Sequence, residues 1–291
     1  MFSYDVILCT YEGDKYITSQ LETILLQTIK PSKIIISDDS SSEKTIRKAE
    51  LIFNSFAYKD YIFINGPRSG VVFNFLSALK YSESDFLFLS DQDDVWELDK
   101  VDTLFNLITS DLKNVPLLLF SDASLIDEQG NKLHHSFIKK QRLNLNILND
   151  DSIQFENCIQ GAACCVNSSL REILVKAVEN IDLRLVVMHD WFIAIIAKYS
   201  GNICFCDKAL LGYRVHQENQ VGYISFSKKL LKFFFSPLVM IHNIKRIILQ
   251  RVAIMDFLIE NEFLNKFEAN NPKLNELSLI KKIVYRLFLK L

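Results

Sequence analysis

The chain has 291 residues, 49% of them hydrophobic, and only 8 Gly and 5 Pro, which excludes a disordered or low-complexity protein and allows one large domain or one domain plus an appendage. Its net charge of −2 hides an asymmetry: residues 1–218 hold 21 Lys/Arg against 30 Asp/Glu, and residues 219–291 hold 12 against 5. No apolar run approaches the ~18 residues needed to span a bilayer, and the acidic body argues against a nucleic-acid partner.

Residues 4–9 read as a strand buried on both faces, and residues 15–27 have helical periodicity through Ile17, Leu21, Ile24 and Leu25. Residues 33–37 form a second strand that closes on Asp38-Asp39-Ser40-Ser41-Ser42, followed by a helix over 45–56 and a third strand over 61–64. A turn at 65–70 leads to a helix over 72–81 and a fourth strand over 85–89. Strands and helices alternating at this length imply a parallel sheet with right-handed crossovers. Beyond that point the alternation loosens. The pattern gives a helix over 97–108, a strand over 117–120 and a hairpin turn at 126–132. It continues with a strand over 162–166, a helix capped by Ser168, a helix over 191–198 and an extended stretch over 203–215. From Phe226 onward it is helical and basic.

Cys9, Cys158, Cys164, Cys165, Cys204 and Cys206 lie mostly in apolar runs without a CxxC pair, and they read as small buried hydrophobes. With no signal-peptide pattern at the start, a reducing cytoplasm is expected.

The fourth strand ends abruptly in Asp91-Gln92-Asp93-Asp94, three carboxylates in four residues. Crowded carboxylates repel one another unless a cation sits among them. Oxygen ligands suit Mg²⁺ or Mn²⁺, which usually also hold substrate phosphates. A solvated acidic turn that caps the next helix is the alternative. Three further polar groups fall at predicted strand ends: Thr10-Tyr11-Glu12, Asp38-Asp39 and Arg68. Ligands bind at the carboxyl ends of strands in open α/β sheets. Neither GxGxxG nor GxxxxGK[ST] is present, so the pocket is neither a dinucleotide fingerprint nor a P-loop.

Over roughly residues 4–222 these motifs, in this order, resemble family 2 inverting glycosyltransferases with the GT-A fold. Cys9-Thr10-Tyr11 resembles the family's TY(N) opening, and Ser37-Asp38-Asp39-Ser40-Ser41 its DD(G)S turn. Residues 70–75, with Asn74, resemble its G-xxx-N segment, and residues 90–96 its DxDD-xW metal motif. Gln160-Gly161 sits at its acceptor-side loop, where Thr-Gly is commoner; His189-Asp190-Trp191 resembles its (H/E)DW motif. The stretch Tyr213-Arg214-Val215-His216-Gln217-Glu218-Asn219 is similar to its YRxHxxN. Within the family, bacterial rhamnosyltransferases are most alike. Glu12, where the family usually has Asn, is a departure.

The resemblance implies an α/β, Rossmann-like, mostly parallel sheet with helices on both faces. A GT-A domain is expected over 1–222, with a nucleotide-sugar half at about 1–121 and an acceptor half at about 122–222. It implies donor contacts from Thr10, Tyr11, Glu12, Asp39, Arg68, Asn74, Asp91 and Gln92. Asp93, His216 and Asp91 are implied for Mn²⁺ or Mg²⁺, and Gln160, Gly161, Trp191 and Arg214 for the acceptor side. Asp190 is the implied general base. A carboxylate there can take the proton of an acceptor hydroxyl as its oxygen attacks the anomeric carbon from the opposite face, which inverts the configuration without a covalent intermediate. Asp190 equally suits a helix cap.

Residues 223–291 read as a basic, amphipathic helical extension. No acidic residue occurs between Glu218 and Asp256, while Lys228, Lys229, Lys232, Lys245, Arg246 and Arg251 interleave with apolar positions. Ile241, Ile244, Ile248, Val252, Met255 and Ile259 form a helical stripe, and Ile280, Ile283, Leu287 and Leu291 a second one. Such helices lie on anionic membrane interfaces; packing on the body or pairing into a homodimer are the alternatives.

The expected activity is metal-dependent transfer of a sugar from a nucleoside-diphosphate donor to a lipid-linked saccharide, at the inner face of a bacterial plasma membrane. L-Rhamnose from dTDP-rhamnose is the first choice of donor and a UDP-hexose or UDP-N-acetylhexosamine the second. Two rivals stand beside it. A nucleotidyltransferase usually needs a Gly-rich N-terminal loop with basic residues, which residues 9–14 lack. A non-catalytic, membrane-docked glycan-binding scaffold would not need the acidic cluster.

Overall fold

The computed structural model describes residues 2–112, 114–216, 237–264 and 266–288. Strands β1 (Tyr4–Thr10), β2 (Lys33–Asp38), β3 (Tyr61–Asn65) and β4 (Phe86–Asp91) alternate with helices α1 (Ile17–Leu25), α2 (Lys44–Ser55) and α3 (Val71–Ala78). They pair in parallel in the order β3-β2-β1-β4. Period-2 alternation sorts each strand's side chains between two cores. Ile7, Ile35, Leu87 and Leu89 face a layer that includes α3, while Tyr4, Val6, Leu8, Ile34, Ile36 and Phe88 face α1 and α2. Both faces are covered, so these strands are apolar throughout rather than alternating with polar residues.

The second half enlarges this sheet with mixed pairing. Strand β5 (Val95–Trp96) follows the acidic turn, and α4 (Lys100–Phe105) is shorter than the predicted helix. Strand β6 (Leu117–Ile126) is ten residues long, because its partner β9 (Asn202–Arg214) runs parallel along its whole length. Strand β7 (Lys132–His134) folds back on β6 through the predicted hairpin turn. Between β7 and β8 (Cys164–Asn167) lies the short helix α5 (Phe137–Gln141). Strand β8 lies antiparallel between β4 and β6 and joins the two halves into one sheet. Helix α6 (Ser168–Asn180) is capped by Asn167 rather than by Ser168: the Asn167 Oδ1 accepts from the Leu170 N–H at 3.0 Å. Helix α7 (His189–Ser200) is buried along most of its length because it packs between the sheet and the C-terminal helix.

The C-terminal segment supplies α8 (Pro237–Glu260), α9 (Lys266–Asn270) and α10 (Leu279–Phe288). The expected boundary near residue 222 and the basic-aromatic stretch over 226–236 lie outside the described residues. The described part is built into the body: Ile254, Met255, Phe257 and Leu258 belong to the same core as α7. Arg251 is buried, donating from Nε to the Gln154 Oε1 at 2.7 Å and from Nη2 to the Ala269 carbonyl. Tyr285 packs on Phe155, and Gln250 accepts from the Val187 N–H at 2.6 Å. The helix is rotated relative to the predicted stripe. Ile244 and Met255 are buried, but Ile241 and Val252 are exposed, together with Val239, Leu249, Lys245 and Arg246. Leu279 and Ile283 of α10 are exposed as well. Among the described residues, no helix is long and apolar enough to cross a membrane.

Candidate active site

Sheet register alone gathers most of the predicted positions. Thr10 lies beside Asp38, Cys9 beside Asp91 and Asp38 beside Asn65, so the ends of β1, β2, β3 and β4 form one polar edge. Asp38 is spent on the scaffold, accepting from the Thr10 and Ser40 hydroxyls at 2.7 Å each. Asp39, the next residue, accepts from the Arg68 N–H at 2.9 Å and the Gly70 N–H at 3.3 Å, which fixes the loop after β3 against the edge. Arg68 itself is exposed, with a left-handed backbone at φ 53°.

The loop after β1 is tied down from the acidic turn. Gln92 pairs with the Tyr11 backbone like a neighbouring strand, accepting from its N–H at 2.8 Å and donating to its carbonyl at 3.1 Å. Glu12 takes a left-handed conformation (φ 48°), and its N–H donates to the Ser40 hydroxyl at 2.7 Å. The family's usual Asn tolerates that region more easily. A Cβ on Gly13 would lie 2.3 Å from Gln92 Oε1, so a larger residue there would push the Gln92 side chain off the Tyr11 backbone. Tyr11 is left exposed at the rim.

The acidic turn meets the end of β9 because β5 pairs with it, Val95 opposite Gly212 and Trp96 opposite Leu211. His216 Nε2 comes to 2.6 Å from Asp93 Oδ2. The Tyr16 ring stands beside both neighbours, 5.3 Å from the His216 ring and 4.8 Å from the Arg214 guanidinium. Burial pushes the Asp91 carboxyl up to about 7, with Asp93 and then Asp190 adding repulsion. Asp94 is also pushed well up, by burial and then by Asp93 and Asp91. Its Oδ1 accepts from the Arg214 N–H at 3.1 Å, while its buried Oδ2 has no hydrogen-bond partner. Fully buried Lys100 lies nearby, held down to about 7 by burial against the opposing pull of Asp94.

Among the described residues, no three His, Cys, Asp or Glu side chains converge on one point. The protein offers a pair, Asp93 and His216, with Asp91 close enough to feel Asp93's charge. One carboxylate oxygen and one imidazole nitrogen fit a divalent cation whose other ligands are diphosphate oxygens and water.

Asp190 sits in the first turn of α7 and is buried. Its Oδ1 accepts from the Trp191 N–H at 2.6 Å and the Asn157 side-chain amide at 3.1 Å, and its Oδ2 from the Gly161 N–H at 3.1 Å. Burial raises its carboxyl to about 6, and these hydrogen bonds oppose the rise. A group at that value is mostly ionised at neutral pH and well matched to general-base work. Gln160 precedes Gly161 in the same turn, and its Nε2 is buried without a partner. The His189 imidazole is stacked on Phe75 at 4.2 Å and fills the space that a Gly161 side chain would take.

Three of the expected contact residues are held by internal hydrogen bonds. Trp191 is buried, and its indole N–H donates to the Ile153 carbonyl at 2.5 Å, which fixes the ring beside Asp190. Buried Asn74 donates to the Ser37 carbonyl at 3.0 Å and accepts from the Ser37 hydroxyl, which uses its amide to clamp β2 beneath the edge. Arg214 is buried, donating to the carbonyls of Asp93, Asp127 and Glu128 at 2.7–3.0 Å, and so shapes the acidic turn. Gln217 to Asn219 of the last motif lie outside the described residues. Asn157 and Lys100 gave no sequence signal: a lone Asn in a loop and a Lys early in a polar helix are ordinary surface features.

The sequence profile described as "Glycosyl transferase family 2" matches residues 5–172, more than half of the chain and the whole polar edge. The chain belongs to that family. A dTDP-rhamnosyl transferase of Shigella flexneri is 28% identical over 235 residues, 76% of each chain. A glucosyltransferase of Escherichia coli, described as using UDP-Glc and α-D-GlcNAc-diphosphoundecaprenol, is 25% identical over 143 residues, 49% of this chain and 53% of its own. Among solved structures, Staphylococcus aureus TarS with UDP-GlcNAc superposes with a TM-score of 0.55 at 17% identity, over 96% of this chain and 77% of that one. A Pyrobaculum calidifontis mannosyltransferase with GDP-Man and Mn²⁺ superposes at 0.54 and 14%, over 99% and 79%. This family 2 glycosyltransferase therefore has the GT-A fold, and neither the nucleotidyltransferase nor the scaffold alternative stands.

Proposed function

We propose that the protein transfers a single sugar, with inversion, from a nucleoside diphosphate onto a lipid-linked saccharide, assisted by Mn²⁺ or Mg²⁺. The observation that carries this reading is the buried Asp190 carboxylate, gripped by three donors and close enough to raise Asp91's proton affinity. A base and a donor-side carboxylate in one field are what a direct displacement needs. Asp39, the β1 loop with Tyr11, and Arg68 lie where a nucleotide would rest along the sheet edge. Asp93 and His216, with Asp91 beside them, would hold the cation, which when bound offsets the negative charge on the departing diphosphate. Asp190 takes the acceptor hydroxyl's proton as that oxygen attacks the anomeric carbon. The Gly161 and Asn157 N–H groups keep its oxygens aimed, and Gln160 lines the acceptor side.

L-Rhamnose from dTDP-rhamnose is the first choice of donor, supported by the Shigella relative that spans three quarters of this chain. A UDP-hexose is the second, supported by the Escherichia coli relative. That relative also supports a lipid-linked acceptor. The exposed apolar positions and the cations Lys245 and Arg246 on α8 suit peripheral binding to an anionic membrane face.

The test is Mn²⁺-dependent hydrolysis and binding across dTDP-rhamnose, UDP-glucose, UDP-galactose, UDP-N-acetylglucosamine and GDP-mannose, with and without chelator. Metal-dependent turnover of one donor is expected. Folded protein with metal that binds none of them overturns the reading.

A further inference from the structure

Lys100 has no part in the reaction just described, yet its side chain has no exposed surface. Burying an ammonium is costly unless it is paired and hydrogen-bonded. Lys100 offsets part of that cost by bridging two parts of the site. On one side it lies near Asp94, whose Oδ2 is buried without a hydrogen-bond partner, and both Asp94 and Asp91 act on its charge. Its Nζ sits 3.9 Å from the centre of the Trp96 ring, so the motif's own tryptophan holds the cation by its π face. On the other side Nζ donates to the Ala162 carbonyl at 2.9 Å. Ala162 belongs to the single 3₁₀ turn Gly161–Ala163. The same turn gives its Gly161 N–H to Asp190. It is thus gripped at its carbonyl by Lys100 and at its N–H by the carboxylate expected to act as base.

We propose that Lys100 is a positioning residue, a buried strut that sets the Gly161–Ala163 turn, and through it Asp190, in register with the carboxylate turn after β4. It touches neither substrate nor cation. A metal or donor that draws on Asp91 and Asp93 then acts on a frame already locked to the acceptor base. The kinetic part rests on the function proposed above; the geometric part does not.

Lys100→Met keeps the stem and removes the ammonium. The expected result is at least tenfold faster amide hydrogen exchange at Gly161 to Ala163, with β1 and β2 amides unchanged. With a donor that turns over, kcat falls ~30-fold or more while the nucleotide-sugar Kd stays within threefold, since misplacing a reacting group by about 1 Å can cost ~10²-fold. If Lys100→Met does not fold, the double variant Lys100→Met/Asp94→Asn, which also removes the neighbouring carboxyl, is measured instead. In that double variant, recovered thermal stability with still-fast exchange and low kcat supports the proposal. Wild-type kcat in the double variant would show Lys100 to be only a counter-charge for Asp94 and overturns it, as does unchanged exchange in either variant. Exchange needs no donor, so a wrong donor or a wrong activity does not obscure this outcome.

Discussion

His216 Nε2 lies 2.6 Å from Asp93 Oδ2, although 123 residues separate them. Two ladders bring them together: β4 delivers the acidic turn, and β9, paired with β5, delivers His216 just past its end. Both side chains are mostly buried. Arg214 donates to the Asp93 carbonyl at 2.7 Å, so the carboxylate's backbone is braced by the strand that brings its partner.

This pair sets the expected metal dependence. Asp93→Ala and His216→Ala should each weaken Mn²⁺ activation by ~10-fold or more, the lower end of what site perturbations cost. Turnover titrated against Mn²⁺ at fixed donor measures it. Undiminished activity in excess chelator would sink the assignment.

Asp190→Asn removes the base but keeps the shape. Transfer should fall by ~10²–10⁴-fold, the range general-base catalysis contributes, while calorimetric binding of the nucleotide-sugar is little changed. Near-normal transfer would mean the base lies elsewhere.

The same carboxyl gives a pH signature. Burial raises it to about 6 and only the ionised form accepts a proton, so kcat/KM should drop tenfold per pH unit below that value. The linkage to stability has the opposite sense. A carboxyl whose folded pKa exceeds its unfolded value of ~3.9 favours the fold below that value, and the benefit is lost as pH rises through about 6. A rate profile with no acid limb between pH 5 and 7 would contradict the assignment.

Gly161 is required for space. A Cβ there would lie 2.3 Å from His189 Nε2 and 3.1 Å from its Cε1. Gly161→Ala should cost about 1–3 kcal/mol through overpacking and should also lower kcat, because the displaced turn carries the N–H that Asp190 accepts. Adding His189→Ala makes room and should recover part of both. Thermal melts and rates on the two variants decide; a harmless Gly161→Ala refutes the packing argument.

The C-terminal helix should show two separable behaviours. Ile254→Ala, in the core shared with α7, should destabilise the whole protein by ~2–5 kcal/mol. Lys245→Glu/Arg246→Glu, on the exposed face, should leave stability unchanged and abolish salt-sensitive sedimentation with anionic vesicles. Equal binding of wild type to neutral vesicles would remove the electrostatic basis.

Local pattern fixed the elements of the first half closely. Apolar runs bounded by turn residues gave β1 to β4 within a residue or two, because strands buried on both faces must be continuously hydrophobic. The polar groups at their ends were legible for the same reason: an abrupt change from apolar to acidic residues marks a strand's carboxyl edge. Ordered motifs then pointed to the family that the profile over residues 5–172 bears out.

Other features were set by partners distant in the chain. Periodicity identifies an apolar stripe but not which part of it meets the body, so α8 buries Ile254 and Leu258 while Val252 of the predicted stripe stays exposed. A polar residue type states what chemistry is available, not whether folding has already used it. Trp191, Asn74 and Arg214 carry suitable groups for ligand contact, yet each is committed to a carbonyl inside the protein. Lys100 and Asn157 show the converse. Nothing around them in the chain marks them, because what distinguishes them is a carbonyl 62 residues away for the one and a carboxylate 33 residues away for the other. Residue types and their order are written in the sequence; desolvation and hydrogen-bond partners exist only once distant segments are packed together.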